Sequence, residues 1–178
     1  MVNVEIKDKD LKAYLDLRKT IKFINENHVL VGVPDDTTNR KELGGDVTNA
    51  ELMFIHTNGS PVNNIPPRPV IEPALYNDKD RITKMLNDCF KESLSGNKEK
   101  AISILRKIGM RAQNVCRAWF VDPANNWLPN SPATAEAKIR RFRRYNKTGN
   151  YEPRPLIDTG ELRKSITYVL SLKGRRSK

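Results

Sequence analysis

Two histidines, two cysteines and one dense run of arginines are the residues of this chain whose types invite chemistry. His28, His56, Cys89 and Cys116 are enough in number for a tetrahedral zinc site, but none of them stand at the short spacings at which a turn or helix presents a ligand pair. No metal is expected, and both cysteines read as small hydrophobes on helix faces. The acidic pairs Asp35-Asp36 and Asp78/Asp80 lie in a loop or beside a helix start, where solvation and capping account for them. Gly44-Gly45 lacks the Lys-Ser or Lys-Thr that completes a phosphate cradle, and neither a nucleophile elbow nor a His-Glu-x-x-His motif occurs. An enzyme reading would have to rest on His56 or Asp158. His56 is read as a packing or local hydrogen-bonding residue, so no catalytic residue and no cofactor is expected.

The arginines differ. Arg140, Arg141, Arg143 and Arg144 fall in one helical stretch, where at about 100° per residue they wrap most of the circumference. Their planar forks suit phosphates and carboxylates alike. Phe142 and Tyr145 are too few to serve as a base-stacking platform. Across the 178 residues the formal net charge is +11, yet residues 1–137 carry 19 basic against 18 acidic side chains, while residues 138–178 carry 13 against 3. A neutral body with a basic end is therefore expected, with Arg175 and Arg176 adding to it in a frayed tail, residues 173–178. No apolar run reaches the roughly 18 residues of a membrane span, and the start of the chain has no signal-peptide pattern, so no membrane partner is expected.

The elements that must position these groups read as α+β: three to four long helices on one small, mostly antiparallel sheet, in a single domain over residues 1–172. Val2–Ile6 and His28–Val33 read as strands, and Ile166–Leu172 as a third. Between the first two, Leu11, Tyr14, Leu17, Ile21 and Ile24 form the apolar stripe of a helix. Residues 35–48 read as a mobile loop or arm. Asn49 is expected to cap a short helix that Asn58-Gly59 ends. Residues 60–70 contain Pro61, Pro66, Pro67 and Pro69, a stiff extended segment that is either a packed spacer or a surface contact.

Asp78 or Asp80 is expected to cap a helix through Ile82, Met85, Leu86, Phe90 and Leu94. Asn97 opens the most regular helix, whose stripe from Ala101 to Trp119 reads as core. Ser131-Pro132 is an N-cap with proline at the first helical position. Asp158-Thr159-Gly160-Glu161 has the spacing of a capping box.

Two stretches resemble proteins of the tailed-phage virion-morphogenesis or tail-completion family, found in Mu-like phages, and related neck and minor tail components. One runs from Asn49 through His56-Thr57-Asn58-Gly59 to Ile65-Pro66-Pro67-Arg68-Pro69 and Leu75. It is similar to that family's His-Glu-Phe-Gly and Ile-Pro-Ala-Arg-Pro-Phe pattern, with Thr57-Asn58 in place of Glu-Phe. The other is Trp127-Leu128-Pro129-Asn130-Ser131-Pro132-Ala133-Thr134 followed by Pro155-Leu156-Ile157-Asp158-Thr159-Gly160-Glu161-Leu162-Arg163-Lys164-Ser165-Ile166.

On this resemblance Gly59, Pro66, Pro67, Arg68, Pro69, Trp127, Asp158, Thr159, Gly160 and Leu162 are the structural motif. The resemblance implies a virion protein without catalysis: a ring, expected as a homohexamer, in the neck between the head connector or head-closure protein and the tail terminator, tube or sheath. Arg140, Arg141, Arg143, Arg144, Arg175 and Arg176 would meet acidic surfaces of adjoining rings or DNA in the channel. The alternative is a cytoplasmic nucleic-acid-binding protein using the basic segment 138–178.

Overall fold

A computed structural model describes residues 8–34, 47–145, 151–172 and 175–177. The expected strand at Val2–Ile6 and nearly all of the expected arm at 35–48 lie outside them. Among the described residues seven helices and a small sheet make an α+β arrangement: α1 Asp8–Glu26, β1 His28–Gly32, α2 Asn49–Asn58, α3 Ile71–Asn77, α4 Lys79–Leu94, α5 Lys98–Trp119, α6 Pro132–Tyr145, α7 Glu161–Ser165, β2 Thr167–Leu172 and β3 Arg175–Ser177. The strands lie in the order β1-β2-β3, and β3 pairs antiparallel to β2 with Leu170 opposite Ser177. Residues 175–177, expected in a frayed tail, are thus the third strand.

Where one domain was expected, the chain folds as two compact units. The first comprises the described residues of Met1–Val31, Asp78–Ala112 and Tyr168–Lys178; the second comprises those of Gly32–Asn77 and Gln113–Thr167. In the first unit, Cys89 of α4, Ala101, Leu105 and Ile108 of α5 and Leu170 of β2 form the core, with Phe23, Val29, Ile82 and Met85 packed against it. The regular stripe of α5 is core, as its spacing implies. Asp78 stands at the N-cap position of α4 but makes no side-chain cap; both its oxygens accept from the Arg111 fork instead.

Helix α1 departs from its sequence pattern. It packs against α4, and Thr20 is 1% exposed with Phe23 half-buried, whereas Leu11, Tyr14, Leu17, Ile21 and Ile24 are all at least 39% exposed. The apolar stripe is the uncovered face. Leu86 and Leu94 of α4 are likewise exposed, and Cys89 and Ser93 take the inner positions expected of them.

In the second unit the core includes Val70, Ala74, Cys116, Phe120, Leu162 and Ile166, each 3% exposed or less. The C-terminal turns of α5 are tied to the α7 region by arginine forks. Arg117 donates to the carbonyls of Ile166 and Lys164, and Arg163 donates back to the carbonyl of Arg117. Helix α2 is capped by Thr48, not Asn49, in a reciprocal capping box with Glu51. The sequence Thr-Asn-Ala-Glu carries that signal one residue earlier than expected.

Two predictions follow from the packing. Gly109 of α5 lies against the Tyr168 ring, where an added Cβ would overlap the ring carbons. Gly109→Ala should lower the unfolding free energy by about 1–3 kcal/mol despite alanine's better helix propensity, and Tyr168→Ala should relieve it, as read by urea unfolding of the double variant. Burial pushes the Cys116 thiol up from its usual 9.0 to about 11. The unfolded chain ionises first, so the stability this group contributes is full below pH 9 and is lost as pH rises towards about 11. At pH 8 iodoacetamide should modify Cys116 only as the chain unfolds.

Candidate functional site

The stretches that carry the resemblance meet in the second unit, through contacts 60 and 61 residues apart in sequence. Helix α2 ends at Gly59, whose φ of +74° lies in the region that favours glycine; its N–H donates to the Ile55 carbonyl. A Cβ there would stand 2.8 Å from the Ile65 carbonyl oxygen and 2.9 Å from the Pro67 nitrogen, so no larger residue fits. The ψ of 176° makes this stop different from the usual left-handed helix end that the sequence suggested. A turn at Pro61–Asn63 and a bridge between Ser60 and Ile65 then fold the proline segment back along α2. The Arg68 N–H donates to the His56 carbonyl at 2.6 Å and completes the attachment.

The segment proves to be both spacer and surface: Arg68 and Val70 are buried, while Pro67 is exposed. The Arg68 guanidinium reaches the second stretch, where Nη2 donates to the carbonyls of Leu128 at 3.0 Å and Pro129 at 3.3 Å. Trp127, the residue before them, sets its ring edge-on to Phe120 with centroids 5.8 Å apart. Ser131 then caps α6 through the Thr134 N–H, as its position before Pro132 implies.

Helix α6 holds the third piece. Phe142 stacks on Tyr151 with centroids 4.7 Å apart, and the Asn130 side chain donates to the Pro153 carbonyl. Lys138 Nζ donates to the carbonyls of Arg154 at 2.7 Å and Ile157 at 2.8 Å. Arg141 pairs with Asp158. This last contact corrects the expected capping box at 158–161: Asp158 is engaged by α6, and α7 starts from Gly160 at φ +80° with no side-chain cap. Thr159 accepts weakly from the Glu161 N–H, while Leu162 is 3% exposed on α7, which packs against α2.

Together these pieces line an open cleft of about 1040 Å³, with Ile65, Pro66, Leu128, Leu156 and Leu162 as apolar wall and Arg68, Lys138, Asp158 and Glu161 as its charged groups. Both carboxylates already have cationic partners, Arg141 for Asp158 and Lys164 for Glu161. Among the described residues the two cations, Arg68 and Lys138, hydrogen-bond to backbone carbonyls alone. Arg68 Nε is buried and has no hydrogen-bond partner among the described residues. Burial lowers the pKa of Arg68. For Lys138 burial again lowers it, Asp158 works against that, and Arg68 and Arg141 add to it.

Of the remaining expected contact residues, Arg140, Arg143 and Arg144 are exposed and have no carboxylate partner among the described residues. Arg141 stands apart from them as a tether of its own fold. Arg175 and Arg176 lie on β3, beyond the described side chains. Cys89 donates to the Ala101 carbonyl and Cys116 weakly to that of Ile71. Among the described residues no group of three His, Cys, Asp or Glu side chains is arranged to hold a metal, and no helix is long and apolar enough to cross a membrane. Lys138 is the cleft cation that the sequence did not single out. It sits in the basic run, but only the fold separates it from its solvated neighbours.

Arg68→Ala would strand the Leu128 and Pro129 carbonyls and should cost about 1–3 kcal/mol in urea unfolding; lysine, lacking the planar fork, should restore only part of it. Set beside known proteins, the chain matches no family model, no curated protein and no solved structure, so the reading of its function rests on its own residues and geometry.

Proposed function

We propose that this chain is a structural protein of a tailed-phage virion, an oligomeric ring subunit in the neck that completes the tail and joins it to the head. The observation that carries the reading is the convergence of the two resembling stretches. Gly59, Pro66, Pro67, Arg68 and Leu162, with the backbone following Trp127, build one cleft instead of serving separate local roles. Motif residues that cooperate in this way are what a shared architecture requires.

The uncovered stripe of α1 supports a subunit that assembles. Five large apolar side chains along one helix are costly to leave in water unless a second copy covers them. The exposed Arg140, Arg143 and Arg144 suit an acidic surface on the adjoining ring.

The same three exposed arginines favour a second reading, binding of nucleic acid. The two separate on the isolated protein: DNA affinity that falls steeply with salt in a monomer would favour the second. An oligomer that changing Tyr14 and Ile21 to lysine returns to monomer would favour the first.

Charge reversal at Arg140, Arg143 and Arg144 should leave the thermal unfolding transition in place and reduce infectious particles by orders of magnitude. In negative-stain images, particles made without this protein should appear as filled heads and complete tails that remain apart. Missing heads or missing tails would contradict the reading.

A further inference from the structure

We propose that the cleft of the second unit is a receptor for an acidic peptide segment of a partner protein, with a carboxylate of that segment held between Arg68 and Lys138. The inference rests on the cleft alone and stands whether or not the chain is a neck protein.

Charge accounting comes first. The two carboxylates on the cleft wall each pair with another cation, whereas among the described residues Arg68 and Lys138 donate only to neutral carbonyl oxygens, with Asp158 near enough to Lys138 to offset part of its charge. Two positive charges close enough to act on one another, in a partly desolvated place, are unfavourable until an anion arrives. Donors also remain. An ammonium has three N–H groups and Lys138 uses two; Arg68 leaves Nε and Nη1 without acceptors among the described residues.

The backbone carries a second sign. Leu156, on the cleft wall, has φ +55°, a left-handed conformation that costs a bulky residue about 1–3 kcal/mol and tends to persist where a surface must be held in shape.

The wall decides what kind of anion. No Phe, Tyr or Trp lines the cleft among the described residues, so bases would find no stacking platform. Proline and leucine side chains surround the cations instead, with Leu128 64% exposed. That combination fits an extended peptide in which an Asp or Glu stands next to apolar residues. A duplex would meet Arg140, Arg143 and Arg144 on the open face of α6 before it met the cleft.

The test uses the full chain and three fluorescein-labelled probes: a short peptide of alternating aspartate and leucine, a single-stranded oligonucleotide and a duplex, each followed by anisotropy. The peptide should bind saturably, and Lys138→Gln and Arg68→Lys should each weaken it about tenfold or more. Charge reversal at Arg140, Arg143 and Arg144 should leave peptide binding within about twofold, a change of less than 0.5 kcal/mol by the tenfold-per-1.4 rule. Because Lys138 and Arg68 also hold backbone carbonyls, the unmutated protein supplies the independent reading. In its amide NMR spectrum the peptide should shift Asn130, Thr134 and Leu162. The proposal is overturned by an absence of saturable peptide binding, by shifts confined to other parts of the chain, or by an oligonucleotide that displaces the peptide from the same amides with higher affinity.

Discussion

A single buried guanidinium holds the second unit's surface together. Arg68 is 8% exposed and sits in a segment that proline keeps out of α-helix and interior strand, so beyond the Ser60–Ile65 bridge few backbone hydrogen bonds organise it. The segment is fixed at Arg68 instead. On one side the Arg68 N–H meets the His56 carbonyl at the end of α2, and on the other its side chain meets two carbonyls of the Trp127–Asn130 turn. Those carbonyls also lie outside any helix or strand and need donors from elsewhere. The arginine supplies them at the cost of carrying a charge inward without a carboxylate to receive it.

The same device recurs through the unit. Arg117 and Arg163 lace α5 to α7 through carbonyls, and Lys138 gathers the 154–157 loop onto α6 through two more. Cations here act as crosslinks between irregular backbone segments, a role for which long side chains with several donors are suited. Part of the chain's positive charge is thereby inside the architecture. Arg140, Arg143 and Arg144 are among the cations that remain outside and available to a partner.

Much of this was legible in the residues before the fold. The α5 stripe, the Ser131 cap, the stiffness of the proline segment and the need for glycine at position 59 follow from periodicity and backbone restriction, which are local. What depends on distant partners was not. Asp158 has the spacing of a cap, but Arg141, 17 residues earlier, takes its carboxylate. Asp78 stands where a cap belongs and is drawn to Arg111 across 33 residues. In α1 the apolar stripe was legible as a stripe but its exposure was not, because a sequence marks which face is apolar and not which neighbour covers it. Lys138 was hidden among arginines of similar appearance. The signal that distinguishes it, placement about two turns after the capped start of α6 and beside the returning loop, exists only once that loop is folded back.

Hydrogen exchange read by mass spectrometry tests most directly the claim that Arg68 joins the distant stretches into one surface. In Arg68→Lys, exchange should rise together over residues 60–70 and 127–131 while α5 retains its protection. A rise confined to residues around position 68, with 127–131 unchanged, would contradict the account.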